Sequence, residues 1–179
     1  NWYGYAGHLT RRLAYRNTFS DREPRLDITD PDPALAGTLD FLIASEVFEH
    51  VLDPVDRAFA GARTLLKPGG LFIFSVPYQK FGATIEHYPG MVEYRVVEAP
   101  EGGRALEAVA ADGTRSLHPG PVFHGGPGAT LEMLVFPESA LREHLERAGF
   151  VDVRLDSAPF FRFGIHWPDP WSLTGRTRT

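Results

Sequence analysis

The sequence predicts an α/β fold with a mostly parallel sheet and helices on both of its faces. The stretch Asp40 to Tyr78, "DFLIASEVFEHVLDPVDRAFAGARTLLKPGGLFIFSVPY", carries a strand, a helix and a second strand in direct succession. The two strand runs, "FLIAS" and "LFIFSV", are continuously apolar, as strands covered on both faces are. Between them Val55, Ala58, Phe59, Ala62, Leu65 and Leu66 recur at helical spacing. A strand, helix and strand of this length form a βαβ unit, and its crossover is right-handed.

The other elements follow in chain order. Trp2, Tyr5, Ala6, Leu9 and Leu13 make an apolar stripe with Arg11 and Arg12 at its polar end, so the spacing predicts a helix over Tyr5–Ala14. "YRNTF" and "PRLDIT" read as weaker strands. "DPDP" from Asp30 is a turn, because each Pro bars helix for the residue before it. Asp53 caps the helix of the βαβ unit with Pro54 in its first turn, and "KPGG" stops it. After Pro77 the chain becomes rich in Gly and Pro. "EYRVVEA", the turn "PEGGR", "ALEAVAA" and "DGT" are hairpin material. "ATLEMLVF" is a further strand. A helix over Glu138–Ala148 has Leu141 and Leu145 inward and closes at Gly149; "FVDVRL" then alternates as a strand, and "FFRFGI" is a last one. The chain reads as a single domain, residues 1–179, with 1–89 and 129–179 forming the core and 90–128 an insertion. The insertion's Gly-rich turns, with Tyr94, Phe123 and His124, suit a lid over the crevice; an oligomer contact is the plainer alternative.

Composition narrows the function. A chain of 179 residues with 43% hydrophobic and 23% charged content builds one ordinary globular core. Eighteen Lys and Arg against 23 Asp and Glu give a formal charge of −5, which argues against nucleic acid or an anionic membrane as partner. No apolar run approaches the ~20 residues of a membrane span. Cys is absent, so no disulfide framework and no thiolate chemistry is available, and a reducing cytoplasm is the default compartment. The chain opens at Asn1 without a Met, which suggests a trimmed or partial sequence.

In an open parallel sheet, ligands bind beyond the carboxyl ends of the strands. The loops leaving "LDIT", "FLIAS" and "FIFSVP" open on that side. They bring Asp27, Thr29, Ser45, Glu46, Glu49, His50, Tyr78, Glu86 and His87 to one crevice. Singly, each is also explained as a helix cap or a surface residue; their convergence at three strand ends favours a site. No HxH or HxxxH spacing supports a metal centre among these His and Glu, so no metal is expected.

The same stretch resembles the second half of class I S-adenosylmethionine-dependent methyltransferases. The match lies in an acidic strand start, an "EH" joint, a Pro-led helix and "LKPGG" before the next strand. "FPESALREHLERAGFVDVRL" is similar to their later helix and strand. The finer wording "YAGHL…YRNTF…EPRLDIT", "EHYPG" and "VFHGG…TLEM" looks like a bacterial subgroup often encoded near glycan-synthesis enzymes. The resemblance implies a Rossmann-like sheet, S-adenosylmethionine as cofactor, and methyl transfer to a small-molecule or glycan-related acceptor. The family's first strand and glycine-rich loop have no counterpart here: Gly4 and Gly7 stand in "YGYAG" without an apolar strand before them. The expectation is that this strand lies upstream of Asn1. A catalytically inactive methyltransferase-like binding domain is the alternative, and a dinucleotide enzyme is disfavoured because no GxGxxG is present.

By the family's order, "YRNTF" is the second strand, which ends in Asn17-Thr18 where an acidic residue usually meets the ribose; an amide there still bonds a hydroxyl. Asp27 and Ile28 match the loop that meets the adenine. Ser45, Glu46 and Val47 match the fourth-strand end near the sulfonium, where a carboxylate is electrostatically sensible. Methyl transfer to oxygen or nitrogen is helped by alignment and by removal of a proton, a task suited to His. His87 in "IEHYPG", after the fifth strand, is the first candidate base, followed by His50 and His124. His8, His118, His144 and His166 read as surface or structural residues.

Overall fold

The computed structural model describes residues 5–52, 54–124, 130–155, 162 and 176–178. Trp2, Gly4, Asp53, residues 125–129, His166 and most of the aromatic tail lie outside the described residues, as does the expected strand "FFRFGI" apart from Arg162.

The βαβ unit forms, but its helix starts later than read, at Asp56 after Val55 as an N-cap without a side-chain bond, so Pro54 precedes the first turn. β1 (Leu39–Ser45) and β2 (Leu66–Gln79) pair in parallel from Leu39↔Leu66 to Ser45↔Ser75, with an irregularity between Leu39 and Phe41. α2 (Asp56–Leu65) connects them and buries Ala58, Phe59, Ala62 and Leu65, the stripe its spacing calls for. β2 starts at Leu66, so "KPGG" belongs to the opening of the strand. β9 (Leu134–Pro137) continues the sheet in parallel against Tyr78 and Gln79 of β2, and β3 (Ile85–Glu86) pairs antiparallel with β9. β10 (Arg176–Arg178) lies antiparallel to Ser75–Pro77. The sheet is therefore α/β but mixed in direction, in the order β1-β2-β9-β3.

The core sits between this sheet and the helices α2 and α3 (Glu138–Arg147). Phe48, Phe59, Phe74 and Phe136 form its centre, with Phe48 and Phe59 centroids 4.7 Å apart and Phe59 edge-on to Phe136 at 6.4 Å. Such pairs contribute about 0.5–1.5 kcal/mol each beyond their burial. His144 stacks on Phe59 at 5.0 Å, and its Nδ1 lies 2.6 Å from Asp56 Oδ1, which also takes Arg147 at 2.7 Å. It is a structural histidine that clamps α3 to α2. Gly61 faces the loop at Ile28: a Cβ there would run into the Ile28 carbonyl.

Several expected elements come out differently. The first helix, α1 (Ala6–Thr10), covers only part of Tyr5–Ala14, and none of its residues is fully buried; Ala6 and Leu9 are half-buried. "YRNTF" and "PRLDIT" form no strand, only the bridge Phe19↔Arg25. "ATLEMLVF" splits into β8 (Thr130–Leu131) and β9, because Glu132 N–H turns to Val122 and Met133 N–H to the Glu49 carbonyl. "FVDVRL" is not a strand: Asp152 takes a left-handed φ of 57° and Val151 is 82% exposed, which breaks both its ladder and its inward face.

The insertion builds its own antiparallel sheet from β4 (Met91–Glu98), β5 (Arg104–Ala110) and β6 (Arg115–Pro119), plus the short pair β7 (Phe123–His124) and β8. Met91, Leu106, Ala108, Leu131 and Met133 form a second buried cluster, against which Leu52, Tyr88 and Leu134 of the main body pack.

At the far end of β2 the buried Tyr78 hydroxyl donates to Glu138 Oε2 at 2.8 Å, and Arg142 holds Glu138 Oε1 at 2.9 Å. Burial, the Glu138 bond and its negative charge push the Tyr78 phenol up to about 12. A folded-state pKa above the unfolded ~10 means that the native state keeps its proton longer. That contribution is complete below pH ~10 and is lost as pH rises through 12. Ultraviolet titration should therefore show Tyr78 ionising late in the native protein, and Glu138→Ala should bring it earlier. A Tyr78→Phe variant with an unchanged tyrosinate curve above pH ~10 would contradict this.

Candidate active site

A cleft of about 970 Å³ opens along the outer edge of β1, which no other strand pairs among the described residues. Tyr15 to Phe19 form its far wall, and Ser45, Glu46, Val47 and His50 close its end where β1 leaves the sheet. The volume suits a ligand of cofactor size.

Neighbouring strands supply the polar end. Ser45, the last residue of β1, is the register partner of Ser75 within β2. Ser75 Oγ donates to Glu46 Oε1 at 2.8 Å, and Ser45 and Ser75 hydroxyls lie 2.9 Å apart. With the Ser75 proton committed to Glu46, Ser45 is the donor to Ser75. Glu46 itself has φ 56°, in the left-handed region that a non-glycine residue seldom adopts. The turn lets its N–H reach the Ser75 carbonyl at 2.9 Å while its carboxylate returns to the Ser75 hydroxyl. Backbone held this way clusters at ligand sites. Across the cleft, Tyr15 hydroxyl donates to Asn17 Oδ1 at 3.1 Å, which leaves the Asn17 amide nitrogen as donor.

His50 is held from two sides. Its Nδ1 lies 2.6 Å from the Leu131 carbonyl, an acceptor only, so Nδ1 carries the proton. Its Nε2 is 3.6 Å from Oε1 of Glu49, a carboxylate with no exposure to solvent. Glu49 also accepts Met133 N–H at its own carbonyl, so the "EH" joint ties the segment Leu131–Met133 to the end of β1.

The structure brings Asn17, Ser45, Glu46, Val47 and His50 together on one cleft. Asp27 and Ile28 are not among its lining residues. Asp27 Oδ1 accepts the Thr29 hydroxyl at 2.7 Å and the Thr29 N–H at 2.9 Å, and these bonds hold its carboxyl below the usual range. Ile28 packs against the main core. His87 is also outside the lining. Its N–H bonds the Met133 carbonyl, and its buried Nε2 lies 3.4 Å from Glu132 Oε1. Glu132 stands two positions from Thr130, which lines the cleft. His124 lies in β7, and its side chain is outside the described residues. Glu132 and Ser75 were missed in the sequence. Ser75 had a signal, since each apolar run, "FLIA" and "LFIF", is followed by Ser; Glu132 had none. No group of three or more His, Asp or Glu among the described residues could hold a metal ion.

A βαβ sheet with a polar cleft at the end of its first strand is the arrangement this chain presents. The chain belongs to the methyltransferase-domain family, whose model matches residues 8–155. Among solved structures it is similar to the CcbJ methyltransferase from Streptomyces caelestis, at 15% identity and a TM-score of 0.45 over 86% of this chain and 60% of that one. It is similar to the glycopeptide N-methyltransferase MtfA complexed with S-adenosyl-L-methionine, at 17% identity and a TM-score of 0.44 over 86% and 60%. A third is an S-adenosylmethionine-dependent methyltransferase from Clostridium acetobutylicum, at 14% identity and a TM-score of 0.47 over 97% and 66%. This chain thus spans 60–66% of the length of these proteins. No curated protein matches it significantly.

Proposed function

We propose that this chain binds S-adenosylmethionine at the polar end of the cleft and transfers its methyl group to a small-molecule or glycan-related acceptor in the cytoplasm. Family membership supports the reaction class. The observation that carries the site is Glu46, a half-buried carboxylate fixed by left-handed backbone and the Ser75 hydroxyl at the mouth of β1. Among the described residues no helix is long and apolar enough to cross a membrane.

S-adenosylmethionine supplies a positively charged sulfonium and an electrophilic methyl group. Glu46 offers that charge a fixed counter-charge, and Ser75 holds the carboxylate in place so that little reorganisation is needed on binding. The Asn17 amide nitrogen donates to a ribose oxygen. His87 takes the acceptor's proton: Glu132 orients its Nε2 side, which leaves Nδ1 for the transfer. His50 has both ring nitrogens turned to Leu131 and Glu49, so its role is to fix the cleft wall.

Calorimetric titration of S-adenosylhomocysteine into the chain tests the reading. Glu46→Gly keeps the left-handed backbone and removes only the carboxylate, so for S-adenosylmethionine it should cost ~10-fold or more in affinity, about 1.4 kcal/mol. S-adenosylhomocysteine lacks the sulfonium charge and should be affected less. Folded protein that takes up neither ligand overturns the proposal.

A further inference from the structure

The outer edge of β4 pairs with no other strand among the described residues, and we propose that it joins a second copy of this chain in an antiparallel β4–β4 dimer centred on Tyr94. β4 is eight residues long, contains no Pro, and exposes every residue from Val92 to Val96. The opposite edge of the same sheet is different: β6 has five residues and ends in Pro119, which lacks an N–H to donate. Short edges and Pro are how sheets protect themselves from edge-to-edge pairing. The irregularity between Met91 and Glu93 lies at the start of β4 and leaves residues 93–98 in regular pairing with β5.

Register and charge select the occupant. Tyr94 and Val96 lie opposite Ala108 and Leu106 and share the face that covers the second buried cluster. Glu93 and Arg95 lie opposite Val109 and Glu107 on the other face. An antiparallel partner centred on Tyr94 sets Tyr94 against its own copy. It then sets Glu93 against Arg95 of the second copy, and Arg95 against Glu93. Registers centred on Glu93 or Arg95 instead place like charges directly opposite, which is destabilising. A shift of one residue sets the apolar face of one copy beside the charged face of the other.

The charged face is already laid out for this extension. Arg115 Nη1 bonds Glu107 Oε1 at 3.1 Å, and Arg95 Nε bonds Glu107 Oε2. Glu93 of a second copy would follow Arg95 in the same alternating row. On the apolar face, Tyr94 and Val96 are 36% and 42% exposed and would be covered. The result is a six-stranded antiparallel sheet, β6-β5-β4 followed by β4-β5-β6. The strand sequence is complementary to itself, so a second copy is the partner it fits.

A one-strand interface is small beside the ~1,600 Å² of a standard complex, so sedimentation should be followed from micromolar to near-millimolar protein. The mass should rise towards twice 19.9 kDa with concentration. Glu93→Lys and Arg95→Glu should each stay monomeric, with circular dichroism confirming their folds. An equimolar mixture of the two should dimerise, because each introduced charge then meets its opposite. The chain has no Cys, so Tyr94→Cys gives a single thiol beside its own symmetry mate. It should cross-link on mild oxidation, whereas Leu117→Cys on β6 should not. A wild-type chain that stays monomeric throughout overturns the proposal. So does a dimer indifferent to both charge changes, or one that cross-links through Leu117→Cys instead.

Discussion

Gly61→Ala should destabilise the fold by about 3 kcal/mol or more, at the upper end of overpacking costs because the obstacle is backbone. In α2 an Ala is normally worth up to ~1 kcal/mol over Gly, so helix propensity alone predicts the opposite sign. What reverses it is the close approach of the loop at Ile28. A Cβ on Gly61 would meet the Ile28 carbonyl oxygen and carbon, and then the Pro31 ring. A flexible side chain could swing aside; a carbonyl fixed between Leu26 and the "DPDP" turn cannot without moving the loop. That loop packs Ile28 on the main core. Urea unfolding reads the effect directly, with Gly7→Ala as the control: a Cβ on Gly7 meets only the Arg11 guanidinium at 3.8 Å. If Gly61→Ala unfolds at the wild-type midpoint, the packing of this loop on α2 is wrong.

The βαβ unit was legible because its signals are local and agree: two apolar runs with a helical stripe between them. Elements whose state depends on a neighbour were not. "FVDVRL" alternates as well as any strand in the chain, yet alternation states only a capacity to pair. Asp152 in the left-handed region and an exposed Val151 show that the segment is used otherwise. "YRNTF" faces β1 across the cleft, and only Phe19 makes a bridge, to Arg25. "TLEM" is interrupted by bonds to Glu49 and Val122, partners distant in sequence.

The candidate site shows the same division. Ser45, Glu46 and Val47 were legible as the end of an apolar strand; β1 is an edge strand with only Ala44 fully buried, and the structure sets the three residues on the cleft. Glu49 read as one member of a helix-start pair. Its complete burial beneath His50 depends on the segment after the insertion, whose Leu131 and Met133 close over the joint. A sequence window around Glu49 does not contain those residues. Glu132 is invisible for the same reason: its proximity to His87 is created by the pairing of β3 with β9.

His87→Ala should lower kcat by roughly 10²–10⁴-fold on the native acceptor while the affinity for S-adenosylmethionine stays near wild type. Glu132 Oε1 lies 3.4 Å from the buried Nε2, close enough to act as its charge partner although no hydrogen bond forms there among the described residues, and the backbone N–H is anchored to Met133. A carboxylate in that position fixes the ring and stabilises the imidazolium once the proton has moved. Glu132→Gln should therefore lower kcat by a smaller factor, about 10-fold, with KM little changed. The contrasting variant is His50→Ala. It removes one partner of a buried carboxylate and should cost about 1–3 kcal/mol of stability through Glu49, read as a lower urea midpoint. Loss of cleft geometry would then appear as weakened cofactor binding rather than as a pure kcat effect. Full turnover in His87→Ala would remove that residue from proton transfer. If instead His50→Ala lost kcat at unchanged stability and cofactor affinity, the base would be the histidine at the cleft itself, and Glu49 its orienting carboxylate.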